Sequence, residues 1–365
     1  MRSAGSSLPD FPWDSLAEVK AVAHAHPGGV VDLSVGTPVD PVPAAIRDAL
    51  ASVSDIPGYP QTHGTPELRE AAVGALRRRH GVEGLERDAV LPTIGSKELV
   101  AWLPRLLGLG PGDTVVIPEL AYPTYEVGAL LAGAQVLRAD SLLALGPQRP
   151  ALIWLNSPSN PTGRVLGVEH LRKVVEWARE RDVVVVSDEC YLALGWEAEP
   201  VSVLHPSVHG GDLTGLLAVH SLSKSANLAS YRAGFVTGDP ALVAELLAVR
   251  KHAGMIVPRP VQEAMTVALA DDEALAAQRE RYARRRAVLQ KALQGNGFHI
   301  DHSEAGLYLW VTRDEDAWVT VRRLAERGIL VAPGTFYGPR GNRHVRVALT
   351  ATDERVEAAA ERLAE

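Results

Sequence analysis

The chain has 365 residues, enough for two domains with well-buried cores. Hydrophobic residues make up 46% and charged ones 22%, which places it among soluble globular proteins. The formal charge of −7 gives no sign of a surface built for nucleic acid or anionic membrane. A single cysteine, Cys190, rules out an intrachain disulfide and fits a reducing cytoplasm. The N-terminus, MRSAGSSLPDFPWDS, lacks the apolar core of a signal peptide, and no apolar run is long enough to span a bilayer. A cytoplasmic location is therefore expected.

Residues 1–30 read as irregular, with prolines at 9, 12 and 27 around a short helical segment near Asp14–His26. His24 and His26 stand two apart, on different faces of a helix, and read as surface histidines rather than a metal pair. VVDLSVGTPVDPVP (Val30–Pro43) gives a short strand and a Gly/Pro turn, with Gly36 offering bare backbone to a substrate. AAIRDALASV is an amphipathic helix. Another begins at Thr65-Pro66, with Thr65 as N-cap and Pro66 in the first position. TIGSKELVAWLPRLLG places a glycine and a serine before a helix whose free N–H groups suit an anion.

From here strand and helix alternate. TVVIP (114–118), ALIWL (151–155), VVVVS (183–187), LLAVH (216–220) and AGFVTG (233–238) are short apolar runs bounded by turn signals. Helical patterns lie between several of them; in GVEHLRKVVEWARERD, Val168, Leu171, Val174, Val175 and Ala178 share a face. Continuous apolar strands alternating with amphipathic helices predict an α/β domain with a mainly parallel sheet covered on both sides. After about residue 258 the character changes. One long, charged helix, roughly Pro260–Leu293, leads to shorter strands in GLYLWV, GILVAPG and HVRVAL. Its basic run RERYARRR (Arg279–Arg286) is flanked by glutamates and reads as a solvated face. The expected division is an N-terminal arm that joins the small domain (1–42), a large domain (43–270) and a C-terminal α+β small domain (271–365).

The candidate chemistry centres on HSLSKSANLASYRAG (His220–Gly234), where Lys224 stands at the end of the LLAVH strand. Ser221, Ser223 and Arg232 supply hydroxyls and a planar cationic fork, which suit a phosphate. A lysine beside a phosphate-binding cluster is what a pyridoxal phosphate enzyme needs, since the amine bonds to the cofactor and the protein anchors its phosphate. A Ser/Ala-rich surface loop with a solvated lysine is the plain alternative. Four more pieces fall at strand ends or adjacent loops, where open α/β sheets bind ligands. They are Ser96-Lys97 at a helix start, Tyr122 in ELAYPTYE, Asn160 in NSPSNPTG, and Asp188 with Tyr191 in SDECY. Singly, each could be a turn or a cap. Together, in this order and beside Lys224, they describe one machine. Asp188 would keep the cofactor's pyridine nitrogen protonated. Asn160 and Tyr191 would hold its ring oxygen, and Lys224 would move a proton near neutral pH if burial and nearby cations lowered its pKa.

The series GTP, Y-P-x-x-x-G-x-x-x-L-R, GSKE, Y-P-x-Y, N-P-T-G, S-D-E-x-Y, S-L-S-K-(x)7-R and V-R-V-A-L, over residues ~30 to ~350, resembles the class I/II aminotransferases of pyridoxal-phosphate fold type I. The resemblance implies a large domain with a seven-stranded, mainly parallel sheet between helices, a smaller α+β domain, and pyridoxal 5'-phosphate as cofactor. It implies Lys224 as the covalent anchor, Asp188 at the ring nitrogen, and Asn160 and Tyr191 at the ring oxygen. It places Tyr122 on the ring and Ser96, Lys97 (by backbone), Ser221 and Arg232 at the phosphate; Ser223 fills a position usually held by a small or hydroxyl residue. Tyr59 matches a residue that reaches the partner subunit's phosphate, so a homodimer with shared sites is implied. Arg346 matches the arginine that grips a substrate α-carboxylate, with the Gly36 backbone beside it; Asn160 also faces the substrate. The second arginine used for dicarboxylic side chains has no match.

LPDFPWDSL, VDLSVGTPVDPVP, PGYPQTHGTPELREA and GSKELVAWLP look like the actinobacterial-type N-succinyldiaminopimelate aminotransferases. That likeness implies amino-acid and keto-acid substrates of the diaminopimelate route to lysine, with Lys97 and His63 as candidates for the distal carboxylates. Two other readings compete. A C–S lyase on the same fold would need the same Lys224 and Asp188. A ligand-sensing regulator would need a DNA-binding module, for which the thirty residues before the first strand are too few and not basic enough.

Overall fold

Runs of Val, Ile and Leu with no polar face build a central sheet whose strands are buried on both sides. The computed structural model describes residue 5 and residues 8–365, so residues 1–4, 6 and 7 of the expected N-terminal arm lie outside the described residues. The first strand, β1 (Val31–Asp32), lies apart from this sheet. The sheet itself comprises β2 (Val90–Ile94), β3 (Thr114–Ile117), β4 (Gln135–Arg138), β5 (Leu152–Asn156), β6 (Val184–Asp188), β7 (Leu216–Ser221) and β8 (Ala233–Gly238). Its order is β2-β8-β7-β6-β5-β3-β4. Only β8 runs against its neighbours, pairing antiparallel with both β2 and β7, so the sheet is mixed and mostly parallel. One core cluster packs Leu155, Val185 and Ala218 on one side of the sheet, and another packs Trp154, Val186 and Val219 on the other. Two layers of helices on a parallel sheet are the consequence.

Beyond this sheet come β9 (His299–Asp301), β10 (Tyr308–Thr312), β11 (Ile329–Leu330), β12 (Ala332–Pro333) and β13 (His344–Ala348). Four of them form an antiparallel sheet in the order β12-β13-β10-β9, while β1 pairs with β11 in parallel. Leu16, Val19, Ala23, Val31 and Leu33 share a core with Leu309, Val321, Val347 and Leu363. Residues 16–33 thus pack with the C-terminal segment.

Two expectations need correction. The long helix predicted over Pro260–Leu293 is two helices, Arg259–Ala270 and Asp272–Gly295. Asp271 breaks it: its carboxylate accepts from the Ala274 N–H and caps the second helix, outweighing the continuous helical pattern. The basic run within that second helix is a solvated face only in part: Arg279, Glu280 and Arg284 are exposed, but other members turn inward or make tertiary bonds. Arg285 is buried and bonds to Asp40 at 2.6 Å and Asp353 at 2.6 Å, and Arg279 donates to the Gly195 carbonyl at 2.6 Å. These arginines tie the helix to the N-terminal segment, the C-terminal helix and the large sheet's loops. Among the described residues, no helix is long and apolar enough to cross a membrane.

Candidate active site

Strands β5, β6 and β7 end side by side, and their carboxyl ends deliver Asn156, Asp188 and Ser221 to one edge of the sheet. That edge opens into a cavity of about 420 Å³, within the range of small-molecule sites. Lining it are Gly36, Ser96, Lys97, Tyr122, Asn160, Asp188, Tyr191, Ser221, Ser223, Lys224, Arg232 and Arg346. Residues scattered over three hundred positions of chain therefore meet in one place.

Asp188 forms the floor. It is 6% exposed, and its Oδ2 accepts from the Tyr125 hydroxyl at 2.8 Å while Oδ1 accepts from the Cys190 N–H at 3.2 Å. Burial pushes its carboxyl up, and the Cys190 and Tyr125 hydrogen bonds pull it back. Tyr125 is locked by stacking on Trp154, ring centroids 4.7 Å apart, and it meets Tyr122 edge-on at 5.7 Å. Asn156 fastens the neighbouring turn: its Oδ1 accepts from the Asn160 N–H at 2.7 Å and its Nδ2 donates to the Asp188 carbonyl at 2.9 Å.

Lys224 follows β7 and reaches across the cavity, donating from Nζ to the carbonyl of Gly36. Burial pulls its ammonium below the ordinary lysine range. The Tyr308 and Cys190 side chains oppose that shift, and Arg346 and Arg232 reinforce it. Arg346, on β13, is 2% exposed. Its Nη1 donates to Asn160 Oδ1 at 2.8 Å and its Nη2 to the Ser34 carbonyl at 2.6 Å, while Nε has no partner. The guanidinium lies 3.8 Å from the centre of the Tyr308 ring.

At the other end, the helix Gly95–Leu106 begins without a side-chain cap, so its first N–H groups stay free beside Ser96 and Lys97. Gly95 has φ +71°, and a Cβ there would stand 2.5 Å from the Arg232 guanidinium. Arg232 itself holds φ +55°, an unfavourable conformation outside glycine. The Ser223 N–H donates to Ser221 Oγ at 3.2 Å, and both serines line the cavity with Arg232.

Pyridoxal phosphate fits this donor set. A capless helix start with two serines and an arginine makes a phosphate cradle, and the Gly95–Arg232 approach keeps it clear. The buried Asp188 carboxylate has hydrogen-bond donors but no cationic side chain paired with it among the described residues, and a protonated ring nitrogen would supply that charge. Lys224 stands between these two ends.

Two residues singled out in the sequence lie outside this cavity, of which Tyr59 is expected at a partner subunit's phosphate and not here. Tyr59 is fully exposed and does not line the cavity. Nor does His63, whose imidazole is held down by burial and by Arg69. Residues missed in the sequence do line it. Tyr308 bonds through its hydroxyl to that of Tyr191 at 3.1 Å and fills the space where a side chain at Gly36 would go. Phe11, Trp13 and Lys20, from the N-terminal segment, also line it. Tyr308 could have been found from the alternation in GLYLWV, which puts it on the face that Arg346 uses on β13. Lys20 carries no such signal.

A family model for aminotransferase class I and II matches residues 28–363. A probable aminotransferase of Mycobacterium tuberculosis is 70% identical, over 98% of this chain and 86% of the relative. The 4-dedimethylamino-4-oxo-anhydrotetracycline transaminase OxyQ of Streptomyces rimosus is 59% identical, over 98% and 99%. Among solved structures, a probable N-succinyldiaminopimelate aminotransferase from Thermus thermophilus superposes with a TM-score of 0.86 at 30% identity, over 97% of this chain and 99% of that one.

Proposed function

The chain belongs to the class I and II aminotransferases, whose cofactor is pyridoxal 5'-phosphate, and we propose that it moves an amino group from glutamate to N-succinyl-2-amino-6-oxopimelate. The products are N-succinyl-diaminopimelate and 2-oxoglutarate. When bound, the cofactor supplies a conjugated, protonated ring that takes up the electron pair released at the substrate α-carbon. The protein's part is done by named side chains. Asp188 keeps the ring nitrogen protonated, and Tyr125 holds Asp188 in place. Asn160 and Tyr191 would donate to the ring oxygen, and Tyr122 would cover the ring face. Ser96, Ser221, Arg232 and the Lys97 N–H hold the phosphate. Lys224 would hold the cofactor covalently through its amine. Burial lowers the pKa of the Lys224 amine, which suits it to accept and return a proton at the substrate α-carbon. Arg346 takes the α-carboxylate through both Nη atoms, as its bonds to Asn160 and Ser34 already orient it. Phe11 and Trp13 would shield the cavity from water. Tyr59 reaches the phosphate of a partner subunit in a homodimer.

The charge of the cavity is the observation that carries the acceptor. Its walls hold five cationic side chains, Lys20, Lys97, Lys224, Arg232 and Arg346, against the carboxylate of Asp188. Arg232 would hold the phosphate, Arg346 the α-carboxylate and Asp188 the ring nitrogen, and Lys224 would serve the reaction itself. Lys20 and Lys97 remain, and neither forms an ion pair among the described residues. The proposed acceptor carries two carboxylates beyond the one at its reacting end, which these two ammoniums match. His63 no longer figures in this assignment.

OxyQ supports a second reading. It is named for an oxo-anhydrotetracycline, and the aromatic walls Phe11, Trp13, Tyr122 and Tyr308 would suit a flat polycyclic ketone. The test is kcat/KM with saturating glutamate for the succinylated keto acid, oxaloacetate, phenylpyruvate, pyruvate and that oxo-anhydrotetracycline. The succinylated acid is expected to lead, and Lys97→Ala should lower its value alone by about tenfold to a hundredfold. Any competitor that matches it refutes the acceptor and leaves the family standing.

A further inference from the structure

Directly behind the cavity lies a buried pair of groups for which the reaction has no use so far. Glu189 follows Asp188, and the alternation of an extended chain sends its side chain away from the active site. It is 2% exposed; Oε1 accepts from the Val203 N–H at 2.7 Å, and Oε2 has no partner. Facing Oε2 at 3.8 Å is Nε2 of His220, which also has none. His220 sits on β7 just before Ser221, with its ring stacked on Phe235 at 4.8 Å. A separation of 3.8 Å is too long for a hydrogen bond. Two buried polar atoms left unpaired would cost heavily. A cavity of about 50 Å³ adjoins both, with Arg79, His80, Ser225 and Phe235 among its walls, and it has room for a water.

We propose that Glu189 and His220 hold one proton between them through a water in this cavity, and that the pair positions Asp188 electrostatically. It does so by keeping the second carboxyl of this strand end uncharged, so that Asp188 is the single negative charge beneath the cofactor. The inference rests on the assignment of Asp188 to the ring nitrogen.

The surroundings favour this placement of the proton. Burial pushes the Glu189 carboxyl up to about 7. The Val203 N–H and the Ser202 and Ser187 hydroxyls oppose that shift, and the charge of Asp188 adds to it. Burial and then His80 push the His220 imidazole down to about 3. His80, on the helix Pro66–His80, is itself down to about 4, through burial and its neighbour Arg79. The helices Arg259–Ala270 and Asp272–Gly295 add only the apolar Leu269 and Leu275 to the cavity wall. Below neutrality the proton therefore sits on Glu189, with the neutral imidazole as its acceptor through the water. The pair is neutral, not an ion pair.

Infrared difference spectra of the holoenzyme between pH 5 and 9 test the pair itself. The wild type is expected to show a buried carboxylic-acid band that titrates away near pH 7, and Glu189→Gln should lack it. His220→Phe keeps the stacking on Phe235 but removes the acceptor, so its midpoint should fall by about one unit or more. Thermal unfolding gives a second readout that needs no cofactor. A folded Glu189 keeps its proton to about 7 and an unfolded glutamate releases it near 4.5, so wild-type stability falls as pH rises across that window. In Glu189→Gln the fall should be smaller. Coupling to the site is read from the pH dependence of the bound cofactor's absorbance, which should show a step near 7 in the wild type and none in Glu189→Gln. A wild type with no such band, a His220→Phe midpoint that does not move, or superimposable absorbance profiles would each overturn the proposal. If Asp188→Asn leaves the absorbance unchanged while the infrared band persists, it is the ring-nitrogen assignment that has failed.

Discussion

Replacing Asp188 by Asn removes one charge and almost nothing else. The Cys190 N–H at 3.2 Å keeps an acceptor in the amide oxygen. The Tyr125 hydroxyl at 2.8 Å can rotate to accept from the new amide, so both contacts and the shape survive. Because the carboxylate is 6% exposed, no solvent screens the charge that is lost. An opposite charge close to a buried group shifts its pKa by about 1–3 units. The ring nitrogen would lose its proton by that margin, and the rate should drop about tenfold to a thousandfold. The assay is single-turnover reaction with glutamate, next to a cofactor titration and a thermal melt. The loss is expected in the proton-transfer rate, with a smaller loss of cofactor affinity and little change in melting temperature. Tyr125→Phe, which keeps the charge but frees the carboxylate, should lose less. Near-full turnover in Asp188→Asn would refute the role and leave Asp188 as a capping residue.

Lys224→Ala should abolish turnover and leave no lysine that borohydride can fix to the cofactor; a labelled peptide elsewhere with activity intact would overturn the assignment. Arg346→Lys keeps the charge but loses the two-pronged geometry toward Asn160 and Ser34, so kcat/KM should fall about tenfold to a hundredfold for every keto acid alike, mainly through KM. Loss for one substrate only would contradict the α-carboxylate role. Tyr59 is wholly exposed, so Tyr59→Ala should not unfold the chain, and mixing it with Lys224→Ala under subunit exchange should restore activity in mixed dimers. No recovery would mean that each site is built within one chain.

What was legible in the sequence was whatever physics forces into a continuous pattern. Val184–Asp188 and Leu216–Ser221 are buried on both faces, so their apolar runs announced strands, and the loops after them carry the candidate site residues. The strand β2 was missed because VLPTI carries a proline, tolerated there at the sheet's edge. QVLR was missed because the opposite edge strand is short and half solvated. Arg285 looked solvated because its two carboxylate partners, Asp40 and Asp353, lie 245 and 68 residues away. The same distance hid Lys20, which lines the cavity with Lys97 from 77 positions earlier in the chain. Nothing local marks a partner that far off.

The most direct test of the account is the half-reaction with glutamate and no acceptor. The holoenzyme is expected to release one 2-oxoglutarate per site, change the cofactor's absorbance, and return to its starting spectrum when 2-oxoglutarate is added. Release of ammonia with no such return would contradict it, and would point to a lyase built from the same Lys224 and Asp188.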